Sequence, residues 1–203
     1  MWTQKTEESM KARTWLILLA MVAMALCASA VFAQDSKKEA PQGMPEMGPP
    51  KELKEIEFLV GTWDCEMKMH MSMDPNDTTW MTSKGTAAYK WSVGGAVLES
   101  SFEQSMMGQQ FIGGGWEAYD REKKEWQMVW TDNMAARMAL YTGTKSKDGS
   151  VFTGEDLMMG KPVLTRISTF NETADAFDWK GESSMDNGKT WMVWGTAKYT
   201  KRK

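Results

Sequence analysis

From Gly61 to Met73 the chain reads GTWDCEMKMHMSM. From Trp63 onward every second residue is apolar or soft: Trp63, Cys65, Met67, Met69, Met71 and Met73. Between them stand Asp64, Glu66, Lys68, His70 and Ser72. A period of two is that of a β-strand with one buried and one solvated face. A run this long exceeds the usual strand, and such lengths suit a curved sheet that closes into a barrel.

The segments on either side agree with that demand. Residues 51–60, KELKEIEFLV, place Leu53, Ile56, Leu59 and Val60 on one helical face, which predicts a short amphipathic helix capping one end of the sheet. Gly61 ends it. Strands are then predicted over 79–93, 96–106, 110–119, 125–132, 137–145, 150–157, 163–170, 176–183 and 190–200. Turn signals separate them: Asp74-Pro75-Asn76-Asp77, a two-residue Gly94-Gly95 hairpin, Gly108, Asp120 to Lys124, Lys147-Asp148-Gly149, Gly160-Lys161-Pro162, Asn171 to Ala174 and Asp186-Asn187-Gly188. Gly113-Gly114-Gly115 inside a strand predicts a bulge, a sharp bend or a close backbone approach. No Lys-Ser/Thr succeeds it, so it is not a phosphate loop. About ten strands with short turns, eleven Trp and seventeen Gly predict an all-β, antiparallel up-and-down barrel with a short N-terminal helix.

The N-terminus has the pattern of an export signal. Lys11 and Arg13 precede an apolar run from Trp15 to Cys27, and small residues lead to Val31-Phe32-Ala33. The run is short of the roughly 20 residues a spanning helix needs. Cleavage is expected after Ala33, with Ala30 as the alternative, leaving no stable membrane span. Glu7 and Glu8 are unusual ahead of such a run, and translation from Met10 would remove them. Residues 34–50 read as a flexible linker, and 51–203 as one barrel domain. Cleavage removes Cys27 and leaves Cys65 alone, so no internal disulfide is expected in this exported, periplasmic or secreted protein. The net charge is −3, with no basic run interleaved with aromatics, which argues against nucleic acid as a partner.

A short helix and then Gly61-Thr62-Trp63 at the start of a meander resembles the calycin superfamily of lipocalins and fatty-acid-binding proteins. That resemblance implies a basic residue after the last strand packed over Trp63, with Arg202 and Lys201 as the residues able to do so. Gly61, Trp63 and Arg202 are thus the expected structural positions. A closer resemblance is to the bacterial domain-of-unknown-function family 1579. It runs through Phe58-Leu59-Val60-Gly61-Thr62-Trp63, Gly94-Gly95-Ala96-Val97-Leu98, Met107-Gly108 with Phe111-Ile112-Gly113, Tyr119-Asp120 and Trp130-Thr131-Asp132. The chain departs from it at Ala118, where the family tends to have Gly. The resemblance implies a fold and supplies no catalytic residues.

Four chemistries are open to these residues. Met67, Met69, Met71 and Met73 are soft ligands that suit Cu(I) or Ag(I), but His70 has the opposite parity and the methionines also serve as adaptable core filler. Haem through His70, the only histidine, is a weaker option still. Catalysis by carboxylates among Glu99, Glu117, Asp132, Glu155 and Asp156 has no local motif behind it, so no enzyme and no cofactor are expected. The favoured function is non-covalent binding of a small apolar or amphipathic molecule. Its expected lining is Met67, Met69, Met71, Tyr89, Trp91, Trp126, Met128 and Trp130, with Asp132, Arg137 and Arg166 as polar anchors. The alternatives are a soft-metal site on the Met67–Met73 ladder and a filled barrel acting as a protein-interaction module.

Overall fold

The structure is a computed structural model that describes residues 46–70, 72, 77–158 and 160–203. The expected signal peptide, most of the linker, and Met71 and Met73 lie outside these residues.

Lys51–Leu59 forms a 3-10 helix in which Leu53 N–H donates to Pro50 O and Val60 N–H to Glu57 O, both at 3.2 Å. Its buried residues, Leu53, Ile56 and Leu59, are spaced by three. Three residues per turn makes that spacing a straight stripe, whereas an α-helix would rotate it away. Ile56 is only 1% exposed. Burying such a side chain contributes about 1.5–3 kcal/mol, enough to hold the helix across the barrel end.

Ten strands come after it: β1 (Gly61–Met69), β2 (Met81–Ser92), β3 (Val97–Met106), β4 (Gln109–Asp120), β5 (Glu125–Asp132), β6 (Met138–Ser146), β7 (Gly149–Met158), β8 (Lys161–Phe170), β9 (Ala176–Ser184) and β10 (Met192–Lys201). Each pairs antiparallel with its sequence neighbours, and β1 closes on β10 from Trp63↔Lys201 to Met69↔Gly195. Closure removes both sheet edges, so among the described residues no strand is left as a template for another chain. This is the predicted all-β up-and-down barrel.

Residues directly opposite on paired strands share a face, so the inner wall can be traced from Trp63. It runs Trp63↔Ala87↔Phe102↔Gly113↔Asp132 in one row and Trp91↔Leu98↔Glu117↔Met128↔Tyr141 in another. The parity expected for β1, β2 and β5 is therefore the inner face. β1 is nine residues long, shorter than its alternating sequence pattern.

Two turns differ from expectation. Ser92 pairs with Val97, so four residues rather than Gly94-Gly95 alone make the β2–β3 connection. Val93, Gly94 and Gly95 all take positive φ there. The two-residue hairpin is instead Met107-Gly108, closed by Met106↔Gln109, with φ of 52° and 76°. Of the three options for Gly113-Gly114-Gly115, the structure has the close approach. The pairing with β3 and β5 runs through without a shift, and a Cβ on Gly113 would meet the Trp130 ring at 2.3 Å.

Candidate functional site

The barrel has two unlike ends. At the end covered by the helix, Trp63 is fully buried and its Nε1–H donates to Leu59 O at 2.6 Å. Phe177 meets Trp63 edge-on at 5.0 Å and stacks on Tyr199 at 4.4 Å, and Phe58 touches both Trp63 and Phe177 at 6.5 Å. Lys201 Nζ sits 5.3 Å from the centre of the Trp63 ring and donates to Phe58 O at 2.7 Å. The basic residue over the tryptophan is thus Lys201, not Arg202. Arg202 stands on the other face, where Nε and Nη2 donate to Asp64 Oδ1 at 2.8 and 2.6 Å and Nη2 also reaches Thr86. The hydrogen bond from Arg202 holds the Asp64 carboxyl below its usual range. Gly61 has φ +131°, and a Cβ there would meet Lys201 Cε at 3.0 Å, so the glycine makes room for the lysine.

Charge lies beneath the same cap. Lys145, on the inner face of β6 with its side chain 2% exposed, pairs with Glu172 at 2.6 Å. Glu172 also accepts from Thr169 Oγ1 at 2.6 Å, and that oxygen is linked to Ser150 Oγ at 2.6 Å. A cleft of about 610 Å³ between Glu55 and Phe58 on one side and Ser146, Lys147 and Thr173 on the other opens onto Lys145 and Glu172 from outside.

Glu117 lies further in, on the inner face between Leu98 and Met128. Removal from water raises its carboxyl to about 7; Lys145 opposes that rise and Glu172 adds to it. Burial likewise raises the Tyr89 phenol, with Glu117, two strands away on the same inner wall, the next cause. The Cys65 thiol is pushed up to about 11 by burial, so it stays protonated and is a poor nucleophile or metal ligand.

At the opposite end the inner wall is softer. Met69 faces Met81 across the β1–β2 ladder, Gln104 Nε2–H donates to Met69 Sδ at 3.7 Å, and Met106 and Met192 occupy inner positions on β3 and β10. Trp130 Nε1–H donates to Asp132 Oδ2 at 3.0 Å, and Asp132 Oδ1 accepts from the Met134 and Ala135 amides. Asp156 accepts from Arg137 Nη2 and, at 3.0 Å, from Tyr141 OH. Burial raises that phenol to about 12.

The expected lining residues Met67, Met69, Tyr89, Trp91, Trp126, Met128 and Trp130 therefore share the inner face with Asp132. Arg137 reaches the inner wall through Asp156. Arg166 does not belong to this set. It pairs with Glu182 on the outer face, donating at 2.8 Å, and lies 4.0 Å from the centre of the Trp191 ring. Trp191 and the turn before β10 cover that outer patch, leaving Glu182 buried, and hydrogen bonds from Arg166 and Lys180 outweigh burial to keep its carboxyl low. Among the carboxylates considered for catalysis, Glu99 and Glu155 are on the outer face, and Glu99 pairs with Lys90. His70 comes directly after β1, and its two ring nitrogens contact the backbone oxygens of Ser72 and Asp77. Lys145 and Glu172 carry no signal in the sequence as site residues, because each reaches the other only through the closed barrel.

No curated protein matches the chain. Among solved structures it is similar to Rv2717c from M. tuberculosis, with a TM-score of 0.55 and 12% identity over 76% of this chain and 99% of that one. It is also similar to the S-type phycobiliprotein lyase CPES from Guillardia theta, with a TM-score of 0.52 and 11% identity over the same shares. At such identities the likeness shows the fold alone. The model of the family described as "Protein of unknown function (DUF1579)" matches residues 49–201, which take in the helix and all ten strands, and the chain belongs to that family.

Proposed function

We propose that the protein binds one small apolar or amphipathic molecule non-covalently inside the barrel, after export directed by residues 1–33. The observation that carries this reading is an inner wall of large side chains that remain partly accessible. Ser100, Glu117 and Met128 lie on adjoining strands away from the strand ends, face inward by register, and are only partly buried. Accessible surface on an inward-facing side chain means unfilled space in front of it, because a packed core leaves few voids larger than a water molecule. Tyr89, Trp91, Trp130 and Trp179 are likewise inward-facing and half-buried. Aromatic and thioether walls with a few polar groups are the usual make-up of a small-molecule site.

Native mass spectrometry of the purified protein tests this, together with titration by the neutral fluorophore N-phenyl-1-naphthylamine. The expected result is a retained organic mass or saturable 1:1 probe binding, lost in Met128→Trp, which fills the space. A clean apo mass with no probe binding overturns the reading.

A second reading rests on the Met69↔Met81 pairing, which brings two thioethers together beside Met106 and Met192 on neighbouring strands. Thioethers favour Cu(I) and Ag(I). Retention of Ag(I) in the same spectra, abolished by Met69→Leu with Met81→Leu, would favour it.

A further inference from the structure

We infer that the molecule held in the lumen carries an ammonium or other cationic nitrogen group, and that Glu117 is the residue that recognises it. This inference rests on the ligand-binding reading above and names the class of ligand.

The argument is one of unmatched charge. Three of the ionisable groups beneath the cap interact: Lys145 on β6, Glu172 in the β8–β9 turn and Glu117 on β4. Lys145 is already committed to Glu172 at 2.6 Å, and Glu172 is further satisfied by Thr169. That leaves two carboxyls for one cation, and among the described residues Glu117 has neither a counter-ion nor a hydrogen-bond donor in contact with it. The other inner-face acids are provided for, Asp156 by Arg137 and Tyr141, and Asp132 by Trp130 and two amides. The cation of Lys201 is fixed on Phe58 O.

A charged group placed inside a protein without a partner is costly. Glu117 meets that cost by holding its proton more tightly than an exposed glutamate, as its rise to about 7 indicates. A ligand cation would supply the missing partner and draw the proton off, forming a charge-assisted hydrogen bond on the inner wall. The walls suit the same chemistry. Tyr89 points inward from β2, two strands from Glu117 on the same wall, and Tyr119 and Trp126 pack edge-on at 5.5 Å one step along the inner face. Aromatic rings attract cations, more strongly where water is excluded. An anionic amphiphile such as a fatty acid would instead place its carboxylate against Glu117 and be repelled.

Three ligands with one tail separate the outcomes: decylamine, decanol and decanoate, each titrated below its aggregation limit by displacement of N-phenyl-1-naphthylamine. The expected order is decylamine tighter than decanol by about tenfold or more, the scale of one charged hydrogen bond, with decanoate weakest. Glu117→Gln keeps the shape of the side chain and should bring decylamine to within about threefold of decanol. Wild-type protein gives an independent check, because the amine stays charged while Glu117 takes up its proton. The preference for decylamine over decanol should shrink from pH 8 to pH 5. Lys145, Glu172 and Tyr89 are the other titratable groups that interact with Glu117, and burial raises the Tyr89 phenol, so it stays protonated throughout that interval. Decanoate binding as tightly as decylamine, or an amine preference that survives both Glu117→Gln and low pH, overturns the inference while leaving the lumen occupied. If none of the three displaces the probe, the binding reading itself fails.

Discussion

The two ends of this barrel solve the same packing problem with different materials. Under the helix, rigid aromatics interlock: Phe58, Trp63, Phe177 and Tyr199 touch in sequence, and hydrogen bonds from the Trp63 indole and the Lys201 ammonium pin the helix carbonyls above them. At the far end the wall is methionine, with Met69, Met81, Met106 and Met192 inward and Met107, Met134, Met138 and Met185 exposed around it. Aromatic rings have few rotamers and fix one arrangement, whereas a thioether side chain with three rotatable bonds fits many shapes. The capped end thus holds the fold, and the methionine end is the more adaptable wall. Glu117 lies between them.

The largest effect should come from the capped end. Trp63→Ala removes a fully buried indole, its hydrogen bond to Leu59 O and the ring beneath Lys201. The expected loss is about 3–5 kcal/mol in denaturant unfolding. A midpoint that stays put would mean that the aromatic cluster does not hold the barrel, and the contrast between the ends would collapse.

The next effect depends on pH. A carboxyl whose pKa is higher in the folded than in the unfolded chain favours folding least where it should be ionised. For Glu117, raised from 4.5 to about 7, there is no penalty below about pH 4.5, and it grows until about pH 7. The full difference corresponds to about 3 kcal/mol as an order of magnitude. Glu117→Gln should therefore match wild type in stability near pH 4 and exceed it by up to about 3 kcal/mol near pH 8. Urea unfolding at the two pH values measures this. A gain equal at both would show that the glutamate is not held away from water, and would remove the reason for expecting it to seek a cation.

Much of this architecture is legible in the chain because one physical signal dominates. Where one face of a strand is buried and the other wet, alternation reports the face directly, as in β1 and in Trp126, Met128, Trp130 and Asp132 of β5. The signal fails where both faces are covered. Trp191 lies over the outside of β8 and β9, so Arg166 and Glu182 are outward yet sheltered, and Arg166 among apolar neighbours reads wrongly as a lumen anchor. It fails also where register decides. Lys201 and Arg202 are adjacent basic residues, and only the pairing Trp63↔Lys201 puts the first inside and the second outside. The helix is legible as an apolar stripe, although its spacing of three already favours 3-10 over α geometry. Glu117 is visible in the sequence only as one carboxylate among several. Its isolation depends on where Lys145, Glu172, Asp132 and Asp156 find their partners, which involves several strands and a turn.

The smallest effect on stability belongs to the methionine end, and it sharpens the contrast most. Met69→Leu together with Met81→Leu conserves volume and apolarity, so unfolding should shift by less than about 1.5 kcal/mol per site. The branched side chains have fewer shapes available, so tolerance for different ligands should narrow more than the fold weakens. Binding of the flexible decanol and the rigid, flat pyrene, compared between wild type and the double variant, reads that tolerance. The expected outcome is a ratio of the two affinities that changes severalfold while the unfolding midpoint barely moves. If the double variant instead loses as much stability as Trp63→Ala and keeps its ligand range, the methionines are packed as tightly as the aromatics. Adaptability would then have to be sought elsewhere in the wall, around the half-buried Trp91 and Trp130.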